Sequence, residues 1–123
     1  MKRLVVDVDD TICRTEGGKY DISVPRDAVV RELHEYRFMG FQIVLHTSRN
    51  MRTYDGNIGK INANTLPGLV TWLDRHDVPY DEIHVGKPWC GHDGFYVDDK
   101  AIRPSEFVSM SYDEIVTLLE KER

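Results

Sequence analysis

Cysteine is scarce in this 123-residue chain: Cys13 and Cys90 are the two present, far apart in sequence. That excludes a disulfide framework and makes a reduced, cytoplasmic setting the expected one. Long apolar runs are missing as well. The longest uncharged stretch, 61–73, contains Asn62, Asn64 and Pro67 and is shorter than the about 20 apolar residues a spanning helix needs. The apolar residues after Lys2 and Arg3 meet Asp7, Asp9 and Asp10 at once, unlike a secretory leader. No membrane partner is expected. Positive charge is in deficit, with Lys+Arg 16 against Asp+Glu 21 and a net charge of −5. A chain of this sign disfavours nucleic acid as a partner, since phosphate backbones demand many Lys and Arg. Repeats, low-complexity segments and linkers are absent too. With 41% hydrophobic and 30% charged residues, the composition is that of one soluble globular domain over residues 1–123.

What is present alternates between short apolar runs and amphipathic stretches. Leu4-Val5-Val6 and Phe41 to Leu45 read as buried strands, followed by the briefer Ile83-His84-Val85 and Gly94-Phe95-Tyr96-Val97. Val29, Leu33 and Tyr36 mark one helical face, with Pro25 expected in the first turn and Gly40 at the end. Leu66, Leu69, Val70 and Leu73 mark a second helix, closed by Val78-Pro79. Trp72 is expected in its core. Phe107-Val108 is expected to add an edge strand, and Ser111-x-x-Glu114 opens a last helix through a capping box. The sum is an α/β domain with a mostly parallel central sheet covered on both faces.

In such sheets, chemistry gathers beyond the carboxyl ends of the strands. Asp7, Asp9, Asp10 and Thr11 follow the first strand, and His46, Thr47, Ser48 and Arg49 the second. Lys87 follows the third, and Asp98 and Asp99 the fourth. Asp7 and Asp9 are two residues apart, so an extended backbone places both carboxylates on one face. Carboxylates that close repel unless a cation or shared protons intervene. With Asp98 and Asp99 arriving from another strand, a hard, oxygen-ligated ion is expected, Mg²⁺ first.

This ordered set resembles the haloacid dehalogenase superfamily of aspartate-nucleophile phosphatases. Its first motif, hhhDxDxT, matches Val5-Val6-Asp7-Val8-Asp9-Asp10-Thr11, and its strand ending in Thr or Ser matches Ile43-Val44-Leu45-His46-Thr47. Its lysine matches Val85-Gly86-Lys87-Pro88, and its late acidic pair matches Phe95-Tyr96-Val97-Asp98-Asp99. The position before the motif Thr is often Gly in the family; here it is Asp10. The gaps 12–24 and 48–64 hold short loops and no room for a cap domain. In length, and around Thr47-Ser48-Arg49 and Lys87-Pro88, the chain looks most like capless phosphatases assigned to capsule polysaccharide biosynthesis.

The resemblance implies a Rossmann-like three-layer sandwich without a cap. It implies a Mg²⁺-dependent phosphomonoester hydrolase working through an aspartyl-phosphate on Asp7, with Asp9 as acid and base. Asp7, the Asp9 backbone carbonyl and Asp98 would ligate the metal. Thr47 and Lys87 would hold phosphate oxygens, Ser48 and Arg49 would face the substrate, and Asp10 and Asp99 would support the site. The expected substrate is a small phosphorylated metabolite, a sugar or amino-alcohol phosphate. An open site suits either a macromolecule or a small molecule covered by a neighbouring subunit; we expect the second, and hence a homo-oligomer. Two alternatives stay open: a polynucleotide-end phosphatase, and a receiver-like phosphoacceptor domain without turnover. In receivers the phosphoacceptor lies on a middle strand after an early acidic pair. Here the Thr precedes the Lys and a second acidic pair comes last.

Overall fold

A computed structural model describes residues 2–122. The chain divides into two compact units, one ending at Trp89 and one beginning at Cys90.

The first unit is built on a parallel sheet of three strands, β1 (Arg3–Asp7), β4 (Gln42–His46) and β5 (Glu82–His84), in the order β1-β4-β5. Between β1 and β4 lies an antiparallel pair, β2 (Cys13–Arg14) and β3 (Val24–Pro25), joined through a 3-10 turn at Tyr20–Ile22. Helix α1 (Asp27–Phe38) follows β3, while α2 (Ile58–Asn64) and α3 (Leu66–Arg75) separate β4 from β5. Central β4 is apolar on both faces, with Ile43, Val44 and Leu45 buried. Against it packs α1, whose Val29, Val30, Leu33 and Tyr36 are buried at helical spacing. Leu69, Trp72 and Leu73 of α3 are buried likewise, so the expectation for Trp72 holds. The first strand is less enclosed than expected: Val5 is 61% exposed, and β1 lies at an edge of the sheet.

Pro25 belongs to β3 and not to the first turn of α1, which starts two residues later behind an extended Arg26. Proline lacks a backbone donor, and the end of a two-stranded ribbon tolerates that as well as a helix start does. The helix ends as the sequence suggests. Gly40 takes φ +97, Gly40 N donates to the Arg37 carbonyl and Phe41 N to that of Tyr36, the paired closure of a Schellman motif.

The second unit holds α4 (Pro104–Ser109) and α5 (Tyr112–Glu120). The capping box of α5 forms as expected, with Ser111 Oγ accepting from Glu114 N at 3.2 Å and Ser111 N donating to Glu114 Oε1 at 2.9 Å. Two expected strands do not form. Phe107-Val108 lies inside α4, where Pro104 at the first position and Glu106, accepting from Arg103 N at 2.8 Å, supply a helix start that outweighs one β-branched residue. Gly94–Val97 joins neither sheet, and Phe95 is 80% exposed. An apolar run sets extended propensity, but a strand exists only where a partner edge accepts it. Among the described residues, no helix is long and apolar enough to cross a membrane. The architecture is mixed α/β, with a small parallel sheet and helices.

Candidate active site

The three strands end together. Asp7 of β1 pairs with His46 of β4, and His46 with His84 of β5, so each carboxyl end releases its loop at one rim. After β1 the backbone makes a tight turn: the Val8 carbonyl accepts from Thr11 N at 3.2 Å and Ile12 N at 2.9 Å. Val8, Ile12 and Cys13 are fully buried and plug this turn into the core. At its apex Asp10 takes φ +62, the left-handed region that Asp tolerates better than most residues. Asp10 is exposed, and its carbonyl accepts from the Arg26 guanidinium at 3.3 Å.

Thr11 Oγ1 donates to Asp7 Oδ2 at 3.1 Å, and Lys87 Nζ lies 3.2 Å from Asp7 Oδ1. The nucleophile candidate is thus held from both oxygens, with 30% of its side chain exposed against 15% for Lys87. Lys87 arrives by an extension of the β4–β5 ladder. Thr47 N donates to the His84 carbonyl at 3.0 Å, and Lys87 N to the Thr47 carbonyl at 3.1 Å. Between them Gly86 takes φ +84, and a Cβ there would run into the side chain of Ile58. Gly86→Ala is therefore expected to destabilise the fold by about 1–3 kcal/mol, read as a lower urea midpoint at unchanged m-value. An unchanged midpoint would show that the turn tolerates a side chain.

Thr47 is buried, and its hydroxyl accepts from Arg49 N at 3.0 Å, which leaves its own proton to donate. Ser48 is half-buried, its carbonyl accepting from Met51 N at 3.1 Å. The Arg49 side chain was expected to face substrate but turns inward. Its Nε–H is shared between Asp9 Oδ1 at 3.1 Å and Oδ2 at 2.9 Å, with the side chain 2% exposed. The Tyr20 ring packs on the guanidinium, 4.4 Å from Cζ to ring centroid. Asp9 Oδ1 also accepts from Thr15 Oγ1 at 3.0 Å.

Electrostatics follow from this crowding. Burial pushes the Cys13 thiol above its ordinary value, in keeping with a packed residue and not a nucleophile. Burial first, then the Asp9 charge, raises the Tyr20 phenol. His46 is held below the ordinary histidine value by burial, then by the Lys87 ammonium, with Asp7 pulling weakly the other way. An imidazole at this rim is therefore biased toward its neutral form.

Asp98 and Asp99 belong to the second unit, in a stretch without regular structure, both exposed. Asp98 Oδ1 accepts from Lys100 N at 2.8 Å, a local turn. Among the described residues, no group of three or more His, Cys, Asp or Glu side chains is gathered to hold a metal. The first unit does offer hard oxygen donors, the Asp7 carboxylate and the Asp9 backbone carbonyl, which fit Mg²⁺ in chemical kind. Its sequence-expected members that come together are Asp7, Asp9, Thr47, Arg49 and Lys87. Tyr20 and Thr15 were not anticipated. Thr15 reaches Asp9 directly and Tyr20 packs on Arg49, both from the β2–β3 hairpin, and no spacing in that loop signals it.

One solved structure is similar along the whole chain. A crystal structure of an MCSG target protein from Vibrio cholerae shares 58% sequence identity over 100% of both chains, with a TM-score of 0.97. The chain belongs to that protein's family. No family model and no curated protein matches it.

Proposed function

We propose that the chain is a Mg²⁺-dependent phosphomonoester hydrolase of the haloacid dehalogenase type, a capless Rossmann-like member acting on a small sugar or amino-alcohol phosphate. The observation that carries this reading is Lys87 Nζ seated 3.2 Å from Asp7 Oδ1, at a rim where three parallel strands end in register. An ammonium beside a carboxylate that Thr11 also orients suits a nucleophile that must approach an anion.

In the proposed reaction an Asp7 oxygen bonds to phosphorus as the ester P–O bond breaks, and Asp9 gives a proton to the departing oxygen, releasing the alcohol. Water then loses a proton to Asp9 and attacks phosphorus. The bond to Asp7 breaks, phosphate leaves, and both carboxyl groups return to their starting state. Lys87 binds the non-bridging oxygens, where fixed charge and donors lower the barrier, while the buried Thr47 hydroxyl shapes the loop after β4 by accepting from Arg49 N. Asp7 and the Asp9 carbonyl would hold Mg²⁺. When bound, the ion would supply charge neutralisation for the nucleophile's approach to an anionic ester.

The order of groups along the chain favours turnover over a receiver-like phosphoacceptor, and the net charge of −5 disfavours a polynucleotide substrate. A panel of phosphorylated metabolites, p-nitrophenyl phosphate and a 3′-phosphorylated oligonucleotide tests the proposal. Sustained phosphate release with Mg²⁺, lost in EDTA and restored by added Mg²⁺, is expected, with sugar or amino-alcohol phosphates the better substrates. Labelling without turnover, or activity unaffected by EDTA, would overturn it.

A further inference from the structure

Resting on the phosphatase reading, we propose that Arg49 is a positioning residue for Asp9, held in place by Tyr20, and does not contact the substrate. A guanidinium that binds substrate must present its donors to the open rim. This one shares its Nε–H between both Asp9 oxygens, has a terminal nitrogen 4.0 Å from the buried Cys13 sulfur, and is almost wholly enclosed. Its own backbone is pinned at the end of β4 through Arg49 N and Thr47 Oγ1. Reaching outward would break two charge-assisted contacts and unstack Tyr20.

The mount continues beyond Arg49. Thr15 Oγ1, which donates to Asp9 Oδ1, lies 2.7 Å from Ser23 Oγ, and the Ser23 carbonyl accepts the Trp72 indole N–H at 3.0 Å. Trp72 is buried in α3. A chain of contacts thus runs from the helical core, through the β2–β3 hairpin, to the plane of one carboxylate. Proton transfer to a leaving oxygen depends steeply on the distance and angle of that carboxylate. Asp9 sits beside a residue with positive φ on a tight turn, so its orientation has to come from outside the turn. Lysine, a point charge on a flexible stem, lacks the planar guanidinium that Tyr20 stacks on, so it would not hold its donor at this place.

Protonation of the leaving oxygen matters most when that oxygen is a poor leaving group, and this gives a readout that simple damage does not move. Let kcat/KM be measured on p-nitrophenyl phosphate and on phenyl phosphate, esters of similar shape but unequal leaving ability. Arg49→Lys is expected to widen the gap between the two by about tenfold or more, the loss falling on phenyl phosphate. Tyr20→Phe, which keeps the stacked ring, should leave the gap within about twofold of the wild type, and Tyr20→Ala should widen it. Equal losses on both esters, or a rise in KM alone, would make Arg49 a substrate contact or a purely structural residue and overturn the inference. Because Tyr20→Ala leaves Arg49 itself in place, the inference stays testable even where the Arg49 variant folds poorly. A wild type inactive on both esters, and on every phosphorylated metabolite, would instead remove the phosphatase reading beneath it.

Discussion

Asp7→Asn is expected to lower turnover by about 10⁴-fold or more, while the protein stays folded. The amide is close to the carboxylate in size and keeps an oxygen to accept from Thr11 Oγ1, so the local geometry survives. What disappears is the anionic nucleophile and the charge facing Lys87 at 3.2 Å. That ion pair is partly solvated, so its loss costs about 1 kcal/mol or less. Steady-state kinetics and a urea unfolding curve separate the two quantities. Activity within about tenfold of wild type would exclude covalent catalysis at this residue. A collapse of the unfolding midpoint would instead make Asp7 a structural acid.

Lys87→Met is expected to cost about 10²–10³-fold in kcat, with a smaller rise in KM. Methionine preserves much of the side-chain length and its packing, and removes the ammonium alone. An interaction made mainly as charge redistributes onto the phosphoryl oxygens appears in kcat, whereas one that only attracts substrate appears in KM. The neighbourhood sharpens the effect. Lys87 is 15% exposed and, after burial, helps hold His46 toward its neutral form, so that imidazole is poorly suited to take its place beside Asp7. Lys87→Arg should recover part of the loss by restoring charge in a different shape. A kcat unchanged in Lys87→Met, with KM raised, would reduce Lys87 to an electrostatic lure.

Much of the first unit was legible in the sequence because its signals are local or periodic. Three β-branched runs marked β1, β4 and β5, spacing of three and four residues marked α1 and α3, and Gly40 marked a helix end. The register that aligns Asp7, His46 and His84 was legible indirectly, since polar residues begin where each run stops. The failures share a physical cause. Gly94–Val97 and Phe107-Val108 carry strand propensity, but pairing is a tertiary event that propensity cannot supply. Arg49 was read as facing substrate, and its side chain meets Asp9 and Tyr20 instead, because the direction of a long side chain depends on partners that the hairpin region brings to it. Tyr20 sits in a loop that sequence reading treats as connection. Its ring matters because Arg49 lies beneath it, and only three dimensions disclose that.

The central claim is a covalent bond between substrate phosphorus and one named oxygen-bearing side chain. Rapid acid quench of the enzyme during turnover, followed by peptide mass spectrometry, tests it most directly. One phosphoryl group on the peptide carrying Asp7, absent from Asp7→Asn, is the expected result. Sustained turnover with that peptide unmodified at every quench time would contradict it.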